Sequence, residues 1–134
     1  MDQPVAQRLR AAMNARDIDA FVDCFHEDYT SEQPVHPDRA FRGREQVRLN
    51  WSAIFEGVPD FRSELVGAHE ADGTEWSEWR WRGTHEDGSV LDMAGVIVCG
   101  VRDGRMSWAR LYVEPVEHEG AGIEAAVRRM TGDP

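Results

Sequence analysis

Lysine is missing from this chain of 134 residues: all fifteen basic side chains are arginine. Without a lysine amine there is no Schiff-base chemistry and no covalent anchoring of pyridoxal phosphate. The bias accords with GC-rich codon usage in a bacterium. Cysteine is scarce as well. Cys24 and Cys99 lie in apolar-patterned segments with no CxxC spacing. They read as buried free thiols in a reducing cytosol, rather than as a disulfide or a nucleophile. No apolar run approaches the ~18 residues of a membrane span, and the N-terminal stretch lacks a continuous apolar signal core, so a cytoplasmic protein is expected. Positive charge is also short. Fifteen basic against twenty-five acidic residues leave a net charge of −10, which repels phosphate backbones and anionic lipid and argues against nucleic-acid or membrane partners. The histidines at 26, 36, 69, 85 and 118 show neither HxH nor HxxxH spacing, so no metal site is expected. There is no P-loop, Gly-rich phosphate loop or GxSxG elbow either, and no cofactor is expected.

What is present is an ordinary globular composition, 41% hydrophobic with five Trp and five Phe, enough for one domain with a single core. Asp2 can cap a first helix with Pro4 in its first turn. Val5, Leu9, Ala12 and Met13 form its buried stripe. Asp17 caps a second helix whose stripe is Ile18, Phe21, Val22 and Phe25. An extended piece is expected over Tyr29–Val35, then a polar loop over His36–Gly43. A third helix over Arg44–Phe55 carries Val47, Trp51, Ile54 and Phe55 on one face. From Asp60 the period changes to two. Strands are expected over Phe61–Glu70, Glu75–His85, Val90–Val101 and Arg105–Glu114. Asp72-Gly73, Asp87-Gly88 and Asp103-Gly104 lie between them, and each reads as a type I′ hairpin turn. Helices followed by an antiparallel meander make an α+β fold. Residues 115–134 form a C-terminal tail with a short helix near Ile123–Met130.

The strand Asp92–Val101 is apolar on both faces: Met93, Ile97 and Cys99 on one, Ala94, Val96 and Val98 on the other. A sheet covered by helices on one face only should be polar on the other. A homodimer through the sheet is therefore expected, with coverage by the C-terminal tail as the alternative.

Two stretches carry a family resemblance: "NARDIDAFVDCFHEDYTSEQPV…FRGREQVRLNWSAIF" from Asn14 to Phe55, and "RDGRMSWARLYVE" from Arg102 to Glu114. The order and spacing of N-x-x-D-x-D-A, F-R-G-R-E and D-G-R resemble the SnoaL-like branch of the NTF2-like superfamily, which also houses ketosteroid isomerases and limonene-epoxide hydrolases. The resemblance covers Val5 to Glu114. It implies a cystatin-like cone, with N-terminal helices packed on a curved antiparallel sheet around one pocket for a hydrophobic small molecule. It implies no cofactor.

The resemblance also says which chemistry is missing. The isomerases place their base in a sequence like E-D-P-V; here Glu32-Gln33-Pro34-Val35 puts Gln33, which cannot abstract a proton, at that position. Their oxyanion tyrosine lands on Leu9, and their protonated aspartic acid near Ile97. In the epoxide hydrolases two aspartates and an arginine hold the water. The matching pocket-facing positions are Ser77, Trp79 and Trp81, then Ala109, Leu111 and Val113, none of them ionisable, while Glu78, Arg80, Arg82 and Arg110 should face away. A register slip of one residue would swap those faces.

The polar residues expected within reach of the pocket are Glu32, Gln33, His36 and Tyr29, with His69 and Tyr112 less directly placed. Of these, His36 has the most suitable acid–base chemistry, although a solvated loop histidine between two prolines explains it as well. Glu32 reads equally as a rim carboxylate, and Gln33 can orient a ligand by hydrogen bonding. The apolar lining expected is Leu9, Trp51, Phe55, Trp79, Trp81, Met93, Ile97, Leu111 and Val113. Two functions stay open: a cofactor-independent cyclase, isomerase or hydrolase acting on a polyketide-like or other apolar substrate, and a non-catalytic binding or interaction domain. An ionisable side chain in the cavity would favour the enzyme; a wall of Gln33 and apolar groups would favour the binder.

Overall fold

A computed structural model describes residues 3–133. Helix α1 (Val5–Ala15) follows Pro4 and buries Val5, Ala6, Leu9, Ala12 and Met13. It ends at Arg16, whose left-handed φ of 57° closes the last turn with bonds to Ala12 and Met13. Pro4 at its start makes no side-chain cap bond; Asp2, expected there, lies outside the described residues. Helix α2 (Ile18–Asp23) is capped by Asp17, whose side chain accepts from the Ala20 N–H. It stops before Phe25. That residue instead opens β1 (Phe25–Glu32), because the Cys24 carbonyl is already taken by the Met106 N–H. The stripe expected through Phe25 is still satisfied, since its ring packs 5.2 Å from that of Phe21. The extended segment thus begins earlier than expected and ends at Glu32. A turn follows, in which the His36 N–H donates to the Gln33 carbonyl. A short 3-10 turn (Pro37–Arg39), β2 (Phe41–Arg42) and α3 (Arg44–Gly57) come next.

The meander is β3 (Arg62–Ala71), β4 (Thr74–Thr84), β5 (Val90–Arg102) and β6 (Arg105–Pro115). The sheet order is β2-β1-β6-β5-β4-β3. All neighbours are antiparallel except β1 and β6, which pair in parallel. The first and last hairpins turn as expected: Asp72 and Gly73 have φ of 53° and 77°, Asp103 and Gly104 of 55° and 73°, the two positive values of a type I′ turn. The middle one differs. Only Gly88 is positive there. Gly88 N–H donates to the His85 carbonyl, and the Asp87 side chain accepts from both the N–H and the hydroxyl of Ser89. Asp87 thus spends its side chain on its own loop.

Along β4, Glu75, Ser77, Trp79 and Trp81 are buried while Trp76, Glu78 and Arg82 are exposed. Arg80 lies on the outer side and is held in a two-pronged pair by Asp92 at 2.8 and 2.9 Å. The helices therefore cover the face expected. In β5, a Cβ on Gly95 would collide with the Tyr112 carbonyl oxygen and the Val113 Cα, so only glycine allows β6 this close. On the outer face Trp76 pairs with Val98, and Val96 with Tyr112. Trp76 and Tyr112 are 44% and 38% exposed. The tail touches the end of this sheet, where the Val116 N–H donates to the Asp92 carbonyl and His118 meets the Asp92 carboxylate at 2.9 Å. Its helix α4 (Ile123–Met130) leaves Ile123, Val127 and Met130 exposed.

Candidate functional site

A cavity of about 300 Å3 lies between the helices and the inner face of the sheet. Its buried wall combines Leu9 and Met13 of α1, Phe21 of α2, Phe25 and Tyr29 of β1, Val47 of α3 and Trp81 of β4, closed by Ile97 of β5 and by Met106, Ala109 and Val113 of β6. Half-buried Phe41, Trp51, Ile54, Met93 and Leu111 complete it nearer the surface. Aromatic edges stiffen the wall: the Trp51 ring meets Trp81 at 5.3 Å and 88° and Phe21 at 4.7 Å, and Phe25 meets Tyr29 at 4.8 Å and 80°. Such pairs hold ring positions with little freedom.

Five polar side chains besides the Trp81 indole share this wall: Tyr29, Ser31, Gln33, Arg39 and Asn50. Among the described residues no Asp, Glu or His lines it. Burial pushes the Tyr29 phenol far above its ordinary pKa, and the neighbouring Ser31 hydroxyl opposes that only in part. Tyr29 is therefore a hydrogen-bond donor at any physiological pH and not a base. The Trp81 indole N–H is buried with no hydrogen-bond partner among the described residues, an unmet donor of the kind native proteins rarely leave.

The three positions that match the isomerase catalytic residues, Leu9, Gln33 and Ile97, all line this one cavity. Tyr29, Trp51, Trp81, Met93, Leu111 and Val113 line it too. Six expected residues lie elsewhere. Trp79 is 1% exposed in the core, where its indole donates to the Ser77 hydroxyl at 2.8 Å. Phe55 packs between Phe61 and the Arg16 guanidinium, behind the wall. Glu32 is exposed, because strand alternation sends it away from Ser31. His36 sits on the loop after β1, its Nε2 2.7 Å from Glu114 Oε1, and does not reach the wall. His69 and Tyr112 also face outward as exposed residues.

That loop straps the mouth of the cavity. Its backbone is fixed by the Gln33–His36 turn and by the bond from Arg39 N–H to the His36 carbonyl. Across it the Arg39 guanidinium donates to Gln33 Oε1 at 3.0 Å. Arg39 and Asn50 are wall residues that sequence reasoning missed: both belong to polar stretches, and only tertiary contact brings them to the pocket.

Sequence reasoning also missed Glu75, 1% exposed on the inner face of β4. Its carboxylate accepts from the backbone N–H of Val5 at 3.1 Å and of Ala6 at 2.8 Å, capping α1 from a distant strand. Burial raises its pKa, opposed by those two hydrogen bonds. It does not line the cavity. Among the described residues no group of His, Cys, Asp and Glu could hold a metal ion. Both thiols are buried and free; burial pushes Cys24 up to about 11 and Cys99 up to about 12, so neither is a ready nucleophile. No helix of the described residues is long and apolar enough to cross a membrane.

Comparison with solved structures places this architecture. Wild-type IdmH from Streptomyces antibioticus, a proposed polyketide cyclase, is 18% identical with a TM-score of 0.71, covering 82% of this chain and 89% of that one. A Catenulispora acidiphila protein with a ketosteroid isomerase-like fold, in complex with trimethylamine, is 13% identical with a TM-score of 0.71, covering 100% and 96%. An NTF2-like protein of unknown function from Exiguobacterium is 18% identical with a TM-score of 0.68, covering 84% and 98%. At such identities the likeness shows the NTF2-like α+β cone and nothing of the chemistry. No curated protein matches the sequence. The SnoaL-like domain model matches residues 6–109, most of the chain, from α1 into the first half of β6, and the protein therefore belongs to the SnoaL-like family.

Proposed function

We propose that this chain binds a hydrophobic small molecule bearing acceptor oxygens, in the cavity between its helices and its sheet, without a cofactor. The observation that carries this reading is the composition of the wall: apolar and aromatic surface, polar groups that can all donate, and no carboxylate or imidazole. An apolar pocket with a few convergent polar groups is the usual form of a small-molecule site. Here those groups suit holding a ligand and not abstracting its protons. Gln33, Ser31 and Asn50 orient oxygens, while Trp51 and Trp81 offer flat faces to a ring.

One observation favours a second reading, a cyclase-type enzyme acting on a polyketide-like substrate. Tyr29 is a buried phenol held in its protonated form. Such a donor hydrogen-bonds the carbonyl oxygen that becomes an alkoxide as a chain closes on itself, the acidic α-proton of a 1,3-dicarbonyl unit passing to water, and the walls supply the fold of the chain.

Thermal shift against aromatic polyketides, terpenoid epoxides and steroids tests the binding reading, because a ligand of the folded state raises the midpoint by mass action. A shift lost in Leu111→Trp supports it; no shift across the panel sinks it. Product analysis with the bound compound, comparing wild type and Tyr29→Phe, then separates binder from enzyme.

We further propose that two copies meet through the outer sheet face, on the exposure of Trp76 and Tyr112 beside Val96 and Val98. Light scattering on Trp76→Glu should then report a monomer. The two free thiols fit a cytoplasmic setting.

A further inference from the structure

The charge of the cavity wall is the opposite of that of the chain. Twenty-five acidic residues give the protein its net charge of −10, yet among the described residues no acidic side chain lines the cavity, and the one formally charged side chain there is Arg39. Among the described residues Arg39 takes part in no salt bridge. Its adjacent Asp38 does not pair with it. Its hydrogen bond is to a neutral partner, Gln33 Oε1 at 3.0 Å, which leaves other N–H groups of the fork unspent. The loop that carries it is anchored independently, by the Gln33–His36 turn and the His36–Glu114 pair. Arg39 is exposed and so stands at the rim, where its guanidinium stays hydrated while the cavity is empty. A charge at the lip of a low-dielectric hollow acts on an entering group more strongly than the same charge on an open surface.

We infer that the ligand is an amphiphilic acid: an apolar, ring-bearing body that fills the cavity and a single carboxylate that meets Arg39 at the mouth, with the Gln33 amide beside it. This rests on the binding reading above and names the ligand class within it. A guanidinium fork matches a carboxylate in two parallel hydrogen bonds. Gln33 is then a partner that holds Arg39 over the opening, and its Oε1 gives way to the ligand oxygen while its NH2 group becomes a second donor.

Isothermal titration with anthracene-2-carboxylate and its neutral isostere anthracene-2-carboxamide, near pH 7 and at low salt, tests this. The wild-type chain should take the carboxylate about tenfold more tightly than the carboxamide. Arg39→Gln should erase the preference by weakening the carboxylate far more than the carboxamide, and an unchanged thermal midpoint shows that the variant is folded. Arg39→Lys should retain part of it, and about 0.5 M NaCl should shrink it. Equal binding of the two probes, or a preference that survives Arg39→Gln, overturns the inference. If the carboxamide binds, is blocked by Leu111→Trp and shows no such difference from the acid, the inference alone fails and the binding reading stands. If neither probe binds, both fail.

Discussion

The inner face of the sheet holds two regions of opposite character. At one end Glu75 is buried with its carboxylate against two backbone N–H groups of α1. Beside it, the cavity has open space and, among the described residues, no acid. The region with a perturbed carboxylate has no space for a substrate, and the region with space has no carboxylate. A buried, pKa-shifted acid is a reasonable pointer to chemistry. Here it points to a helix anchor. Glu75 reaches from β4 to cap the start of α1, where Pro4 makes no side-chain bond, and in doing so ties the first helix to the meander.

Moving the acid would break the comparison most violently. Ile97→Asp puts a carboxylate on the cavity wall at the position where the isomerase resemblance expects one, but without partners. Stability near pH 7 should fall by roughly 3 kcal/mol or more. Because burial raises that carboxyl's folded pKa, part of the loss should return as the pH is lowered. Urea unfolding at two pH values checks both statements, and an unchanged midpoint would mean that the cavity is wet enough to solvate charge. Next in size, Glu75→Ala strands the Val5 and Ala6 N–H groups and should cost about 2–3 kcal/mol, with affinity for a cavity ligand nearly unaltered. A mutant that keeps its stability would show that α1 needs no anchor.

The pH dependence of Glu75 sharpens the contrast with a smaller effect. Its folded pKa is raised above the ordinary glutamate value. Such a group contributes most stability below the unfolded pKa, and the contribution is lost as the pH rises through the folded one. Asp60, Asp87 and Asp92 are held low by hydrogen bonds, so their contributions are lost only in stronger acid. The stability of wild type relative to Glu75→Gln should therefore increase as the pH falls from about 8 toward about 5. A flat difference would count against the raised pKa. Smallest of all, His36→Ala removes a pair whose partners are 35% and 37% exposed; stability should change by less than about 1 kcal/mol. A larger loss would make the strap a stability element rather than a cover for the mouth.

Much of the fold could be read from local pattern. Two Asp-Gly turns and strict alternation along β4 gave the meander and the face that meets the helices, since both depend only on near neighbours. Alternation gives a face but not a depth along it. That is why Trp79 and Trp81, on the same side of one strand, divide between core and cavity, and why Phe55 falls behind Trp51. Phe25 continued a helical stripe in the sequence; the backbone bond from Met106 to Cys24 beside it goes with the strand instead. Glu75 and Arg39 were illegible for a related reason. A polar residue in a strand or loop takes its meaning from a partner distant in the chain, here the start of α1 and the mouth of the pocket.

The parallel pairing of β1 with β6 has a consequence for how the pocket comes into being. Ser31 lies against Ala109, and Phe25 against Met106, so the wall joins the early chain to the last strand. Every intervening residue must be brought round before that seam can close, and such non-local contacts form slowly and late. During synthesis the helices and three strands of the meander can gather first, with Phe25 and Tyr29 still uncovered. The cavity can thus close only when β6 reaches β1, through the strand that joins the two parts of the sheet.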